Sequence, residues 1–182
     1  IRGPEDNEEA NLRYQVYVDV LAEYGLPFDP DLVAPGAFVQ ASGHAAIRLF
    51  LDERGLDPRK DFDVLASASD NMVIGALREL LARGFRVPTD VALIGFDDVE
   101  VASMLTPSLT TVRQPPHEMG KRAVEMLVGL LNDEEVSEQV VLPTELVMRR
   151  SCGCMEPLVT QAAIGEIETT KTSLGDVFTT QR

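Results

Sequence analysis

The chain alternates helical and extended segments joined by short turns, and this order constrains its fold more than any other feature. Short, mostly apolar runs bounded by polar residues are typical of strands covered on both faces of a sheet; they lie at 31–34, 62–68 and 91–96. Apolar side chains recur at helical spacing between such runs; the helices are predicted at 5–24, 42–55 and 71–84. The alternation predicts an α/β fold with a doubly wound parallel sheet.

The regular alternation of helical and extended segments ends after Thr106 and Pro107. The sequence then predicts a short extended piece at 109–112, a helix over 117–131 and an extended piece at 139–148. Residues 155–182 are rich in threonine and are interpreted as a marginally ordered tail or a linker. The opening IRGP looks like the tail of a strand, so we expect the chain to be a fragment of a longer protein.

Composition narrows the classes of function. The net charge of −14 argues against a nucleic-acid surface on this part of the protein, because phosphate binding needs clustered lysine and arginine. No apolar run is long enough to be a transmembrane helix. The two cysteines, Cys152 and Cys154, are too few for a disulfide framework or a zinc site and are typical of reduced thiols in the cytosol.

The residues that follow the predicted strands define a candidate ligand site, since ligands of open parallel sheets bind at the carboxyl ends of the strands. These positions carry amide, hydroxyl, carboxylate and aromatic side chains, which suit a hydroxyl-rich small molecule. They are Asn7, Phe38, Ser69, Asp70, Asp97 and Asp98. Two alternatives stay open for the Asp97–Asp98 pair, a magnesium site and simple turn capping. No nucleophile motif or P-loop is present, so we expect no catalytic residue, metal or cofactor.

Several motifs resemble one family. The stretch VPTDVALIGFDDVEVASMLTPSLTTVRQPPHEMGKRAVEML is similar to the effector-binding core of the lactose-repressor (LacI/GalR) family, which has a type I periplasmic-binding-protein fold. IRGPEDNEEANLRYQVY resembles its glycine-proline loop and arginine-bearing helix, and SASDNMVIGALRELLARGFRVP resembles its Asn-Asp-x-x-Ala-x-Gly helix. The likeness runs over about residues 1–154.

The resemblance implies roles for individual residues. Arg13 corresponds to the arginine that binds ligand hydroxyls or carboxylates, Phe38 to an aromatic residue on the ligand ring, and Asp97 to the carboxylate that receives sugar hydroxyls. Asp98 corresponds to a structural position, and Asn7 lies on a loop that reaches the cleft. The chain departs from the family at Ser69, where asparagine is common, and at Val16, where glycine is usual, so the resemblance leaves a non-sugar effector open.

The resemblance also implies a layout. Residues 1–112 would form the carboxy-terminal lobe, 113–137 the crossing segment and a helix of the other lobe, and 138–154 the return, with 155–182 as tail. It implies a non-enzymatic, cytoplasmic, dimeric sensor of a transcription regulator, which meets DNA only through a headpiece outside this chain. The dimer would form through helices near 43–51 and 72–81 and the loop near Leu105, with Ile74 as an exposed apolar contact. The RRSCGC ending favours an alternative, a sensor that feeds a cytosolic kinase or diguanylate cyclase; a sugar-processing or phosphoryl-transfer enzyme is a third reading.

Overall fold

A computed structural model describes residues 1–154 and contains a four-stranded sheet in the order β1-β2-β3-β4. The first three strands are parallel, and β4 runs antiparallel to β3. The strands are β1 (Val64–Ala66), β2 (Ala92–Asp97), β3 (Thr110–Arg113) and β4 (Glu145–Val147). The predicted α/β fold with a mainly parallel sheet is confirmed.

The first residues of the chain extend this sheet beside β1. The Ile1 amino group donates to the Ala66 carbonyl oxygen at 2.7 Å, and the Ala68 amide donates to the Ile1 carbonyl oxygen at 3.0 Å. The Arg2 amide donates in turn to the Ala34 carbonyl oxygen. The ends of these two segments therefore lie at the same sheet edge as the ends of β1, β2 and β3.

The described residues contain four α-helices: α1 (Glu8–Glu23), α2 (Gln40–Arg48), α3 (Asp70–Ala82) and α4 (Pro116–Leu131). The side chains of Asn7 and Ser69 accept hydrogen bonds from the first turns of α1 and α3, as expected of N-cap residues. The π-helical turn Leu49–Glu53 continues α2, and 3-10 turns lie at Pro30–Leu32 and Glu100–Ser103. The polar caps thus set where the helices begin at the sheet edge.

The main core lies between one face of the sheet and the pair α2 and α3. Leu65 and Leu93 are register partners that point into this core, together with side chains of both helices. The two helices approach closely at Gly43 and Gly75, where a Cβ atom would overlap the backbone of the facing segment. Because side chains alternate along a strand, Val64 and Phe96 face the opposite side, where α1 lies.

Some predictions about individual elements are wrong. Residues 30–32 form a 3-10 turn rather than a strand, because Asp29 caps it and Pro30 occupies its first position. Helix α1 begins at Glu8 rather than residue 5, since Asn7 supplies the cap. Only Glu145–Val147 of the predicted extended segment 139–148 pairs as a strand. Ile74 is 1% exposed, so it belongs to the core and not to a dimer surface.

Helix α4 stands apart from this core. Among its described side chains, Met119, Val124, Leu127, Val128, Leu130 and Leu131 are exposed, and only Gly129 is buried. Exposed apolar faces of this kind mark surfaces that meet another part of a protein or another molecule. Within residues 1–154 no helix is long and apolar enough to cross a membrane.

Candidate ligand-binding site

Asp97 is the centre of the candidate site, at the carboxyl end of β2. Its Oδ1 accepts a hydrogen bond from the Gln114 side-chain amide at 2.7 Å, and the backbone N–H of Asp70 also donates to its carboxylate. Burial raises the pKa of the Asp97 carboxyl, although Gln114, the nearby Arg13 charge and the Asp70 amide favour its charged form. Asp97 has a φ of 121°, which is unusual for a non-glycine residue and typical of functional positions.

Arg13 approaches the same point from α1. Its guanidinium carbon lies 4.5 Å from the centre of the Phe96 ring, so the arginine stacks on the residue that precedes Asp97. The Nε atom of Arg13 is buried and has no hydrogen-bond acceptor within residues 1–154. A buried donor of this kind costs free energy until it meets an acceptor, so the arginine is placed to receive one.

Asp98 holds the strand ends together rather than facing a ligand. Its Oδ2 accepts from Arg113 Nε at 2.6 Å, and its Oδ1 accepts from Arg149 Nη2 at 2.6 Å. Burial opposes ionisation, but the two arginines outweigh it and hold the pKa of the Asp98 carboxyl below its usual range. Asp98 therefore ties β2 to β3 and to the segment after β4, which agrees with its predicted structural part.

Asp70 lies behind the site. Its carboxylate is fully buried; Oδ1 accepts from the Thr111 hydroxyl at 2.6 Å, and Oδ2 accepts from the Val99 amide at 3.0 Å. Burial raises the pKa of the Asp70 carboxyl despite these donors. Gly95 makes room for it, since a Cβ there would overlap Oδ1. Because both of its carboxylate oxygens are bonded to protein groups, Asp70 positions β2 and β3. It contacts the Asp97 carboxylate only through its own backbone N–H.

The remaining predicted site residues sit at neighbouring ends of the sheet. Ser69 is buried and caps α3, and Asn7 uses its side-chain oxygen on the Ala10 amide at 2.8 Å. Phe38 is half-buried, has a φ of 58°, and its ring lies where a Cβ of Gly3 would come within 2.8 Å. The structure thus brings Arg13, Asp97 and the start of α3 together, and places Phe38 and Asn7 at the ends of the two outer segments.

A cavity of about 300 Å³ lies under α1 and reaches the site from the side. Its apolar part is lined by Tyr14, Tyr17, Phe50 and Phe62. Its lining also includes Ser67 and Ala68, which follow the carboxyl end of β1. Arg13 also lines this cavity while stacking on Phe96. The arginine therefore separates an apolar hollow from the polar groups around Asp97.

Sequence reasoning missed two residues of the site. Phe96 supports Arg13, and Gln114 orients Asp97. Gln114 directly follows β3, so a survey of all strand ends that included the third parallel strand would have found it. The stacking of Arg13 on Phe96 has no local signal, because the two residues are far apart in the chain.

The described residues give no support to a metal site. Within residues 1–154 no group of three or more histidine, cysteine, aspartate or glutamate side chains is placed to hold a metal ion. At the Asp97–Asp98 pair the two carboxylates have separate partners, an amide for one and two arginines for the other. Arginines at Asp98 fill the positions that a cation would need.

An α/β domain with a half-buried carboxylate and a stacked arginine at the carboxyl edge of its sheet is the kind of domain that binds small polar molecules. The family model for the periplasmic binding protein-like domain matches residues 1–152. The chain belongs to this family.

Relatives and solved structures confirm the resemblance to LacI-family regulators. The chain is 40% identical over 152 residues to the HTH-type transcriptional regulator CelR of Thermobifida fusca, and 34% identical to the repressor CytR of Escherichia coli K12. Each match covers 83% of this chain and 43% of the relative, so the chain spans less than half of their length.

Two solved structures show the same fold. The complex of the transcriptional regulator CelR with cellobiose has a TM-score of 0.76 and 39% identity, over 83% of this chain and 45% of that one. The Lac repressor bound to ONPG has a TM-score of 0.73 and 28% identity, over 82% of this chain and 44% of that one.

Proposed function

We propose that the chain is the effector-sensing part of a LacI-type transcription regulator and carries no enzyme activity. The observation that carries this proposal is the arrangement at the end of β2, where Arg13 offers a buried, unpaired Nε–H beside the half-buried Asp97 carboxylate. Donor and acceptor are both held before ligand arrives, which is how binding sites gain specificity.

The chemistry favours a ligand with several hydroxyl groups, a sugar or a similar polar metabolite. A carboxylate accepts hydrogen bonds from hydroxyls, a guanidinium donates to hydroxyl or carboxylate oxygens, and both become stronger when water is excluded. Phe38, after the segment that bonds to Arg2 at the sheet edge, offers a flat apolar surface to the carbon face of a sugar ring. The complex of the relative CelR with cellobiose supports this class of ligand.

The experiment is ligand screening followed by calorimetry on site variants. Sugars, nucleosides and amino acids are screened by thermal shift, since a ligand that binds the folded state raises the melting temperature. For the ligand found, Asp97→Ala and Arg13→Ala should each weaken binding by about 10- to 150-fold, the equivalent of one charged hydrogen bond of about 1.5–3 kcal/mol.

Glu100→Ala is the matched control. Glu100 is exposed and lies three residues after Asp97 in the chain, so it should retain wild-type affinity. Circular dichroism verifies that each variant is folded. Wild-type affinity in both site variants would refute the site and leave the family membership untouched.

We also propose the domain layout that the resemblance implies. Residues 1–112 and 138–154 form one lobe, while 113–137 cross to a second lobe whose remaining part lies outside this chain. The exposed apolar side chains of α4 support this layout, because they would be covered by that lobe. Effector binding would close the lobes about the crossing segments and change the spacing of the output modules in a cytoplasmic homodimer that meets DNA through its headpiece.

A second candidate is the same sensor placed ahead of a signalling enzyme. The observation that favours it is that the chain continues from 153 to 182 past the region matched by the family. The sequence of the complete gene decides between the two: a helix-turn-helix segment upstream supports the regulator, and a kinase or cyclase domain downstream supports the signalling protein.

A further inference from the structure

The two cysteines lie on a segment that is firmly anchored to the sheet. Ser151 is buried; its hydroxyl donates to the Leu93 carbonyl oxygen at 2.7 Å and accepts from the Thr110 amide at 2.8 Å. The Leu93 amide donates to the Ser151 carbonyl oxygen at 2.8 Å. Cys152 follows directly, so its backbone position is fixed by bonds to β2 and β3.

Cys152 is half-buried, and its thiol donates to the Arg149 carbonyl oxygen at 3.4 Å while donors approach the sulfur from other residues. The Cys154 amide donates to its Sγ at 3.5 Å, and the side chains of Thr110 and Cys154 also hydrogen-bond to it. The Thr110 hydroxyl oxygen accepts from the Arg149 amide at 2.8 Å, which leaves its O–H free to point at the sulfur. Donors of this kind stabilise a thiolate more than a thiol.

Cys154 lies within reach of this sulfur because of the glycine between the two cysteines. Gly153 has a φ of 77°, a conformation that suits glycine, and its amide donates to the Arg150 carbonyl oxygen. The turn brings the exposed Cys154 thiol into hydrogen-bond contact with Cys152. Cys152 is thus held in place with donors beside its sulfur, and Cys154 is exposed and lies next to it.

We propose that Cys152 and Cys154 form a dithiol that hydrogen peroxide oxidises, with Cys152 as the attacking thiolate and Cys154 as the resolving thiol. Burial opposes ionisation of Cys152, but the bonds from Thr110 and Cys154 outweigh it and lower the pKa of its thiol, whereas the neighbouring Cys152 raises the pKa of the Cys154 thiol. These opposite shifts in pKa agree with Cys152 as the attacking thiolate and Cys154 as the resolving thiol.

The chemistry balances in two steps. The Cys152 thiolate attacks one peroxide oxygen; an S–O bond forms, the O–O bond breaks, and the product is a sulfenic acid with release of hydroxide, which takes a proton to become water. The Cys154 sulfur then attacks the Cys152 sulfur, the S–O bond breaks and a second water leaves. In total, two thiols and one peroxide give one disulfide and two waters.

The test uses the full chain, whose only thiols are these two. Wild-type protein treated with one equivalent of peroxide should lose the mass of two hydrogen atoms and both titratable thiols. In Cys154→Ser the sulfenic acid has no resolving thiol, so dimedone should label Cys152. In Cys152→Ser the remaining Cys154 should react severalfold more slowly than Cys152 does, since the thiolate is the reactive form of a cysteine.

Substitutions at Thr110 distinguish a thiolate that is stabilised by its position from an ordinary exposed cysteine. Thr110→Val should slow peroxide reaction of Cys152 severalfold, and Thr110→Ser, which keeps the hydroxyl, should restore the rate. The chain unfolded in urea gives the baseline rate of an unstructured thiol and remains informative if Thr110→Val folds poorly. Equal rates for Cys152 in the folded and unfolded chain, or dimedone labelling of Cys154 rather than Cys152 in the wild type, would overturn the proposal.

Discussion

The bonds from Arg113 and Arg149 to Asp98 allow us to predict how much a substitution at Asp98 lowers the free energy of unfolding. The Asp98 side chain is 8% exposed and lies between Arg113 and Arg149, the latter 16% exposed. In Asp98→Asn one charge-assisted bond is lost and Arg149 keeps a bond to the Leu109 carbonyl oxygen. We expect the free energy of unfolding to fall by about 2–4 kcal/mol, between the loss of one charged hydrogen bond and the breaking of a buried ion pair.

The assay is urea denaturation followed by circular dichroism at pH 7, with thermal melting as a second measurement. For a chain of this size the same loss lowers the melting temperature by about 5–15 °C. Asp52→Asn is the matched control, because Asp52 also binds one arginine through both oxygens, at 2.6 and 2.7 Å, but is half exposed. An exposed pair of this type contributes little, so Asp52→Asn should be much less damaging.

The pH dependence gives an independent check. Because the pKa of Asp98 is lowered in the folded state, its contribution is complete above the unfolded value of about 4 and is lost as the pH falls through the folded value. The stability difference between wild type and Asp98→Asn should therefore shrink below about pH 4. Equal losses for Asp98→Asn and Asp52→Asn at pH 7 would refute the reasoning.

Three further predictions concern packing. Gly95→Ala places a methyl group on the buried Asp70 carboxylate and should lower the free energy of unfolding by about 1–3 kcal/mol in urea titration; an unchanged midpoint would contradict this. If the proposed dimer uses the loop beside Leu105, Met104→Glu at a 68% exposed position should give monomers in light scattering without loss of stability. Ile74→Glu, at a buried position, should instead unfold the chain. A Met104→Glu protein that remains dimeric would argue against that surface. In hydrogen exchange, α4 should exchange faster than α3 when the second lobe is absent, and equal protection would count against the proposed layout.

Local patterns predicted most of the fold. The helices follow from apolar spacing and from Asn7 and Ser69 as caps, and the strands β1, β2 and β3 follow from short apolar runs between polar residues. The pattern failed at residues 30–32, where an aspartate and a proline form a turn that resembles a strand in hydrophobicity alone. Such failures occur where one side-chain hydrogen bond outweighs the hydrophobic pattern.

The candidate site was predictable only in part. The positions of Asp97 and Ser69 follow from counting residues after each strand. Whether a side chain faces the crevice or the core depends on contacts across the sheet, and these have no local signature. Asp70 is buried because Gly95 and Thr111 on two different strands accommodate it, and Ile74 is 1% exposed although helical spacing alone predicted an exposed position.

The bonds of Arg149 and Ser151 have a consequence for synthesis on the ribosome. These residues emerge after α4, yet they satisfy the Leu93 carbonyl, the Thr110 amide and Asp98, all of which were made some 40 to 58 residues earlier. Until they arrive, the centre of the sheet carries unpaired backbone groups, and the Asp98 carboxylate has Arg113 but not Arg149 as a partner. The sheet of the nascent chain therefore cannot reach its final form before α4 and the segment that follows it have been made.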